Sequence, residues 1–193
     1  MHKYDMIENA ERQFAREVTL GVIVTSPLAA WQYIIPGYFI IDFLRRSRAI
    51  RQYTKYFMFP RKLAMDMSVA QMQGENKASM SSDFKDTIRI WLESLKLYSP
   101  DLEKALVGLI EILAAHYLKL LSAEGDTFYV LLKHAYPYRD HFKQFIETIT
   151  SVENEVDRLV TEQLGSEKKG KEKILAQQQQ ISKRRQKILE DVF

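Results

Sequence analysis

The chain has 193 residues, 46% hydrophobic and 27% charged, with a formal net charge of +3. These values suit one folded domain with appendages and exclude a chain disordered throughout. With no cysteine, disulfides and cysteine-ligated zinc or iron–sulfur centres are excluded, and the composition fits a reducing compartment.

The small net charge hides a segregation along the chain. Residues 1–17 carry three bases and four acids, and 18–41 carry none of either. Residues 42–66 carry seven bases against two acids, 67–165 ten against fifteen, and 166–193 eight against four. Two basic segments therefore bracket an acidic middle.

Residues 1–17 place Tyr4, Ile7, Ala10 and Phe14 on one stripe, with Glu8, Glu11, Arg12 and Arg16 elsewhere. This spacing predicts an amphipathic helix running on toward Pro27. The apolar segment 18–41 follows, containing Trp31 and interrupted by Pro27 and Pro36. As one helix it would reach about 36 Å, enough to cross a hydrocarbon layer of about 30 Å. The two prolines divide it, so a re-entrant hairpin or an in-plane helix is the alternative to a span. Acids outnumber bases ahead of it, the wrong charge for a signal peptide.

Arg45, Arg46, Arg48 and Arg51 follow directly, where the positive-inside rule puts them on the cytoplasmic face. Residues 42–66 read as a basic juxtamembrane helix that lies on anionic lipid and stops at Pro60. Tyr53, Tyr56, Phe57 and Phe59 would then sit at headgroup depth. The lipid-binding set expected from this stretch is Pro27, Trp31, Pro36, Arg45, Arg46, Arg48, Arg51 and Lys55.

Residues 67–81, small and polar apart from methionines, read as a linker. A helical bundle is expected over 82–165. Ser82 is its first N-cap, and Phe84, Ile88, Trp91, Leu95 and Tyr98 form a core-facing stripe. Ser99 and Pro100 fit the N-cap and first position of a second helix. That helix is apolar nearly all round over 106–121, the centre of a bundle. Glu111, His116 and Lys119 make it a poor membrane span, and Glu111 is the acid expected to be buried.

Gly125-Asp126 marks a turn, and a short helix from Phe128 ends before Pro137. Over 138–164, Phe142, Ile149 and Val156 share one heptad position, and Phe145, Val152 and Leu159 share the other. Gly165 fits a C-cap. In the tail, 166–193, Ile174, Ile181 and Ile188 recur every seven residues, but Gln178 and Arg185 spoil the partner positions. The tail therefore reads as a solvated, marginally helical extension.

None of the four histidines has an acid three residues before it, which removes the Glu-x-x-His metal signature. The chain also lacks phosphate-cradling glycine loops, the nucleophile elbow and His-Glu-x-x-His. No cofactor or metal is expected. The fold class expected is all-α: a membrane-inserted or interfacial N-terminal segment, a small bundle and a basic tail. The function expected is a non-enzymatic scaffold or adaptor on the inner face of a membrane, holding anionic lipid and presenting its bundle and tail to a protein partner. A homo-oligomer is compatible with this reading, and nucleic acid is the less simple partner for the bases. Two other readings stay open: a soluble subunit burying 18–44 in a larger complex, and a lipid-related enzyme using Glu111 or a histidine as base.

Overall fold

The computed structural model describes residues 2–24, 38–74, 77–164 and 168–193. These residues form seven α-helices and no strand: α1 His2–Val24, α2 Tyr38–Met72, α3 Lys77–Ser94, α4 Pro100–Ser122, α5 Phe128–Ala135, α6 Arg139–Leu164 and α7 Lys168–Val192.

The apolar helix expected at the centre is there. α4 is packed by α2 and α6 and touched by α1, α3 and α5. It buries Leu102, Leu106, Leu109, Ile110, Leu113, Tyr117, Leu120 and Leu121. At about 25 cal/mol per Å2 of apolar surface, each such side chain contributes about 1.5–3 kcal/mol. Among the described residues, α4 is the one helix long and apolar enough to cross a membrane; half of the qualifying window is inside the fold. A core helix passes that test for the same reason a span does, being apolar on several faces.

Ser99 and Pro100 start α4 as expected. Ser99 has extended backbone, φ −148° and ψ 153°, and its hydroxyl accepts from the Leu102 amide, while Pro100 occupies the first turn. Ser99→Ala is expected to lower stability by about 1 kcal/mol, read from the midpoint of urea unfolding. Thr127 caps α5 in the same way, accepting from the Val130 amide.

Several boundaries depart from the expectations. α2 does not stop at Pro60 but runs through it for 35 residues. An interior proline costs about 3 kcal/mol, in part through one lost backbone hydrogen bond. Met58, Ala64 and Met65 beside it are buried in the common core, and that burial outweighs the loss. Ser68, also buried, places its hydroxyl 2.7 Å from the Ala64 carbonyl and 2.8 Å from that of Ala114 on α4. The second half of α2 thus contributes one face to the core, while Lys55, Tyr56 and Lys62 stay exposed on it.

Three of the four rings expected at headgroup depth are half-buried and stack on other rings. Phe57 stacks on Phe14 and Tyr53, and Phe59 stacks on Trp91 at 4.2 Å. Tyr56 stays exposed.

The linker expected over 67–81 is mostly helix. α2 extends to Met72, Gly74 turns the chain at φ 79°, and α3 begins at Lys77. Ser82 thus lies inside α3 and is not its N-cap. On α3 the stripe is Ile88 and Leu92, both buried, with Trp91 packed against the core and Tyr98 exposed beyond it. Gly165 lies outside the described residues.

The largest departure is the tail. α7 packs against α1, α5 and α6, and buries Ile181, Arg185, Leu189 and Val192. The two residues that spoiled its seam meet polar partners on α6. The Gln178 amide donates to Asp157 at 3.0 Å, and Arg185 donates to the Thr150 hydroxyl at 2.8 Å.

The membrane-inserted segment is not confirmed. Residues 18–24 continue α1, with Val18 and Thr19 buried and Leu20 exposed. Residues 25–37 lie outside the described residues.

Candidate functional site

Among the expected lipid-binding residues, Pro27, Trp31 and Pro36 lie outside the described residues, and Arg45 and Arg46 fall within the first turns of α2. Arg48, Arg51 and Lys55 project from α2 and are exposed. Arg51 and Lys55, four residues apart and hence on one face, line an open groove of about 820 Å3 between α1 and α2. Arg12 and Arg16 line the α1 wall at the same spacing, and Lys62 and Asp66 close the far end. The floor is apolar, made by Ile50, Met58, Phe59 and Leu63. Of this lining, the expected set included Arg51 and Lys55; it left out Lys62, beyond the stop assigned to Pro60, and Arg12 and Arg16, because pairing of α1 with α2 is not a local signal.

Of the acids near this groove, Glu8 is spent inside it on two lining cations and Asp66 is itself part of the lining, whereas Glu11 and Glu17 are committed elsewhere. Glu8 holds Arg12 at 2.6 Å and Lys62 at 3.6 Å. Glu11 turns inward to Arg61, and Glu17 pairs with Arg184 of α7 at 2.9 Å. Asp66 accepts from the Tyr4 hydroxyl at 2.7 Å. Arg16, Arg48, Arg51 and Lys55 are left with no carboxylate partner among the described residues.

A second cluster, buried, was not legible from the sequence. Arg61, 4% exposed, donates from Nε to Glu11 and from Nη2 to Glu153, both at 3.0 Å. Its third arm reaches the Phe57 carbonyl at 3.3 Å, and its guanidinium lies 3.5 Å from the centre of the Phe57 ring. Glu153 also holds Arg185 at 2.8 Å, and the Tyr117 hydroxyl donates to Glu11 at 2.9 Å. Two arginines and two glutamates balance, and the cluster ties α1, α2, α4, α6 and α7 together. Burial alone would lower the Arg61 pKa, but Glu11 and then Glu153 more than offset it and hold the cation firmly charged. Burial raises the Tyr117 pKa well above its ordinary value.

Nearby, His116 stacks on Phe145 at 4.1 Å, and its Nδ1 lies 2.8 Å from the Tyr136 hydroxyl. Burial first, then Lys119, Arg185 and Arg61, push its pKa down to about 3, so the ring is neutral at pH 7. Asp157 on α6 is shifted the other way. Burial raises it to about 6, against the hydrogen bond from Gln178, with Glu153 adding to the rise. A small cavity of about 70 Å3 adjoins the cluster and is walled mainly by aromatic and aliphatic side chains.

Glu111, the acid expected to be buried, is exposed on α4. The central helix turns Leu113, Ala114, His116 and Tyr117 inward and leaves position 111 at the surface. Its candidacy as a catalytic base, which depended on desolvation, falls with that exposure. Among the described residues no three His, Asp or Glu side chains gather to hold a metal ion. No protein-family model matches the chain, and no curated protein or solved structure is significantly similar to it.

Proposed function

We propose that the protein is a non-enzymatic helical scaffold held at the cytoplasmic face of a membrane by the apolar stretch 18–41 and the basic surface of α1 and α2. The observation that carries this reading is the row of unpaired cations, Arg16, Arg48, Arg51 and Lys55, beside a stretch with no formal charge. Elsewhere among the described residues, Arg61, Arg89, Arg158, Arg184 and Arg185 meet carboxylates, and Arg139 does not. Cations left unpaired next to an apolar run suit the negative potential of anionic lipid, where each contributes about 1 kcal/mol. The rest of the bundle surface, with Ile90 and Tyr138 more than 60% exposed, is offered to a protein partner.

Flotation of the full chain with vesicles tests the lipid role. Binding is expected to vesicles rich in phosphatidylglycerol, to weaken with salt as a surface charge effect must, and to be absent with pure phosphatidylcholine. Reversing Arg48, Arg51 and Lys55 to Glu should reduce association at least about a hundredfold at low salt. Unchanged association of that variant would remove anionic lipid from the function.

A further inference from the structure

We infer that the groove between α1 and α2 binds a single anionic phospholipid molecule, its phosphate held by Arg16, Arg51 and Lys55 and the first carbons of its acyl chains laid over Ile50, Met58 and Leu63. This inference rests on the membrane reading above and adds a site of defined stoichiometry to it.

A face that only adsorbs to charged lipid needs cations and no particular shape. Here the cations line a concavity of about 820 Å3, within the range of about 300–1,000 Å3 usual for ligand sites. Its floor is apolar, with Met58 3% exposed at the bottom. A bare anion would leave that floor wet, and a fatty chain without a charged head would leave three cations uncompensated. An amphiphile with one phosphate satisfies both halves. The two arginines offer planar forks that match phosphate oxygens, and the lysine adds a mobile point charge.

Thr54, on the same wall, has a buried hydroxyl with no hydrogen-bond partner, a donor that the fold itself does not use. A nucleic-acid backbone presents phosphates in a run and calls for cations spread along a ridge. Cations converging on one apolar-floored groove fit a lone headgroup better. The site also sits where a lipid is available, since α1 and α2 are the two helices flanking the apolar stretch 18–41.

Titration calorimetry of the full chain with dihexanoyl-phosphatidylglycerol below its micelle concentration tests the site without any bilayer. One-to-one binding is expected, with no binding of dihexanoyl-phosphatidylcholine and no competition from inorganic phosphate. Arg51→Gln should weaken it about tenfold or more. Arg139→Gln removes the same charge from an exposed position on α6 outside the groove and should change it less than about twofold. Leu63→Trp keeps every charge and fills the floor, so it should abolish monomer binding while vesicle flotation persists.

Equal losses in Arg139→Gln and Arg51→Gln would reduce the groove to diffuse charge and overturn the inference. So would unchanged binding in Leu63→Trp, equal affinity for the phosphatidylcholine, or full competition by phosphate. Circular dichroism of each variant separates loss of the site from loss of the fold, and the glutamine variants, at exposed positions, keep the test decisive if the tryptophan variant unfolds. Vesicle flotation without monomer binding removes the groove and leaves the membrane reading. Monomer binding without flotation does the reverse.

Discussion

Replacing Arg61 with methionine should destabilise the protein by about 3–5 kcal/mol, a large fraction of the total stability of a domain this size. The loss does not come from the attraction of the pair itself, which desolvation largely offsets. It comes from leaving Glu11, with side-chain exposure of 14%, charged and without its cation. Glu153 keeps Arg185 and suffers less. Adding Glu11→Gln to the methionine variant should therefore recover most of the loss, whereas adding Glu153→Gln should not, because it strands Arg185. Urea unfolding of the two double variants gives the comparison, read as the midpoint at constant slope. A single variant within about 1 kcal/mol of wild type would show that the cluster is solvated in solution.

Acid should unfold this protein partly through His116. Its folded pKa, about 3, lies below the ordinary value of 6.5, so between those limits the unfolded chain binds the extra proton. Stability from this group is complete above pH 6.5 and is lost as pH falls toward 3. By pH 4 the loss is about 3 kcal/mol, from about 1.4 kcal/mol per pH unit.

Asp157 acts in the opposite sense. Its folded pKa, raised to about 6, imposes a cost above that pH which disappears as pH falls toward 3.8. The wild-type profile alone thus mixes two slopes. The measurement that isolates the histidine is the stability difference between wild type and His116→Gln, which should shrink by about 3 kcal/mol from pH 7 to pH 4. A difference independent of pH would mean that the imidazole is hydrated in the folded state.

What could be read from the sequence was what neighbours along the chain decide. Ser99 and Pro100 announce a helix start because the cap and the first turn lie within four residues of one another. Phe142, Ile149 and Leu159 announce a buried face through spacing alone, and all three are buried. Pro60 misled because its backbone penalty is local while the compensation, burial of Met58, Ala64 and Met65 in the common core, is not. The tail misled for a related reason. Arg185 looked like a defect in a hydrophobic seam until Glu153 and Thr150, more than thirty residues away, supplied its partners. Of the groove, Arg51 and Lys55 were legible and Lys62 and the α1 wall were not, and whether a cation is paired cannot be told from composition. Glu8, Glu11 and Glu17 are close in sequence to Arg16, yet each is spent on another residue.

The packing of α7 on α1 makes the chain a ring, and a ring has a last link to close. The Ser68–Ala114 contact between α2 and α4 joins residues 46 apart, whereas Glu17 and Arg184 are joined across 167. Loop-closure entropy makes the longer link costlier by about 1 kcal/mol before any contact rewards it. The pairs around α4 are therefore expected to assemble first and the α1–α7 seam after them. The seam is also where Arg184 and Gln180, which lies against Gly21, hold the root of the apolar stretch to the body of the protein. Each brief parting of α7 thus frees the base of that stretch and loosens one side of the Arg61 cluster in the same event, so that end of α1 and the buried charges are expected to open together.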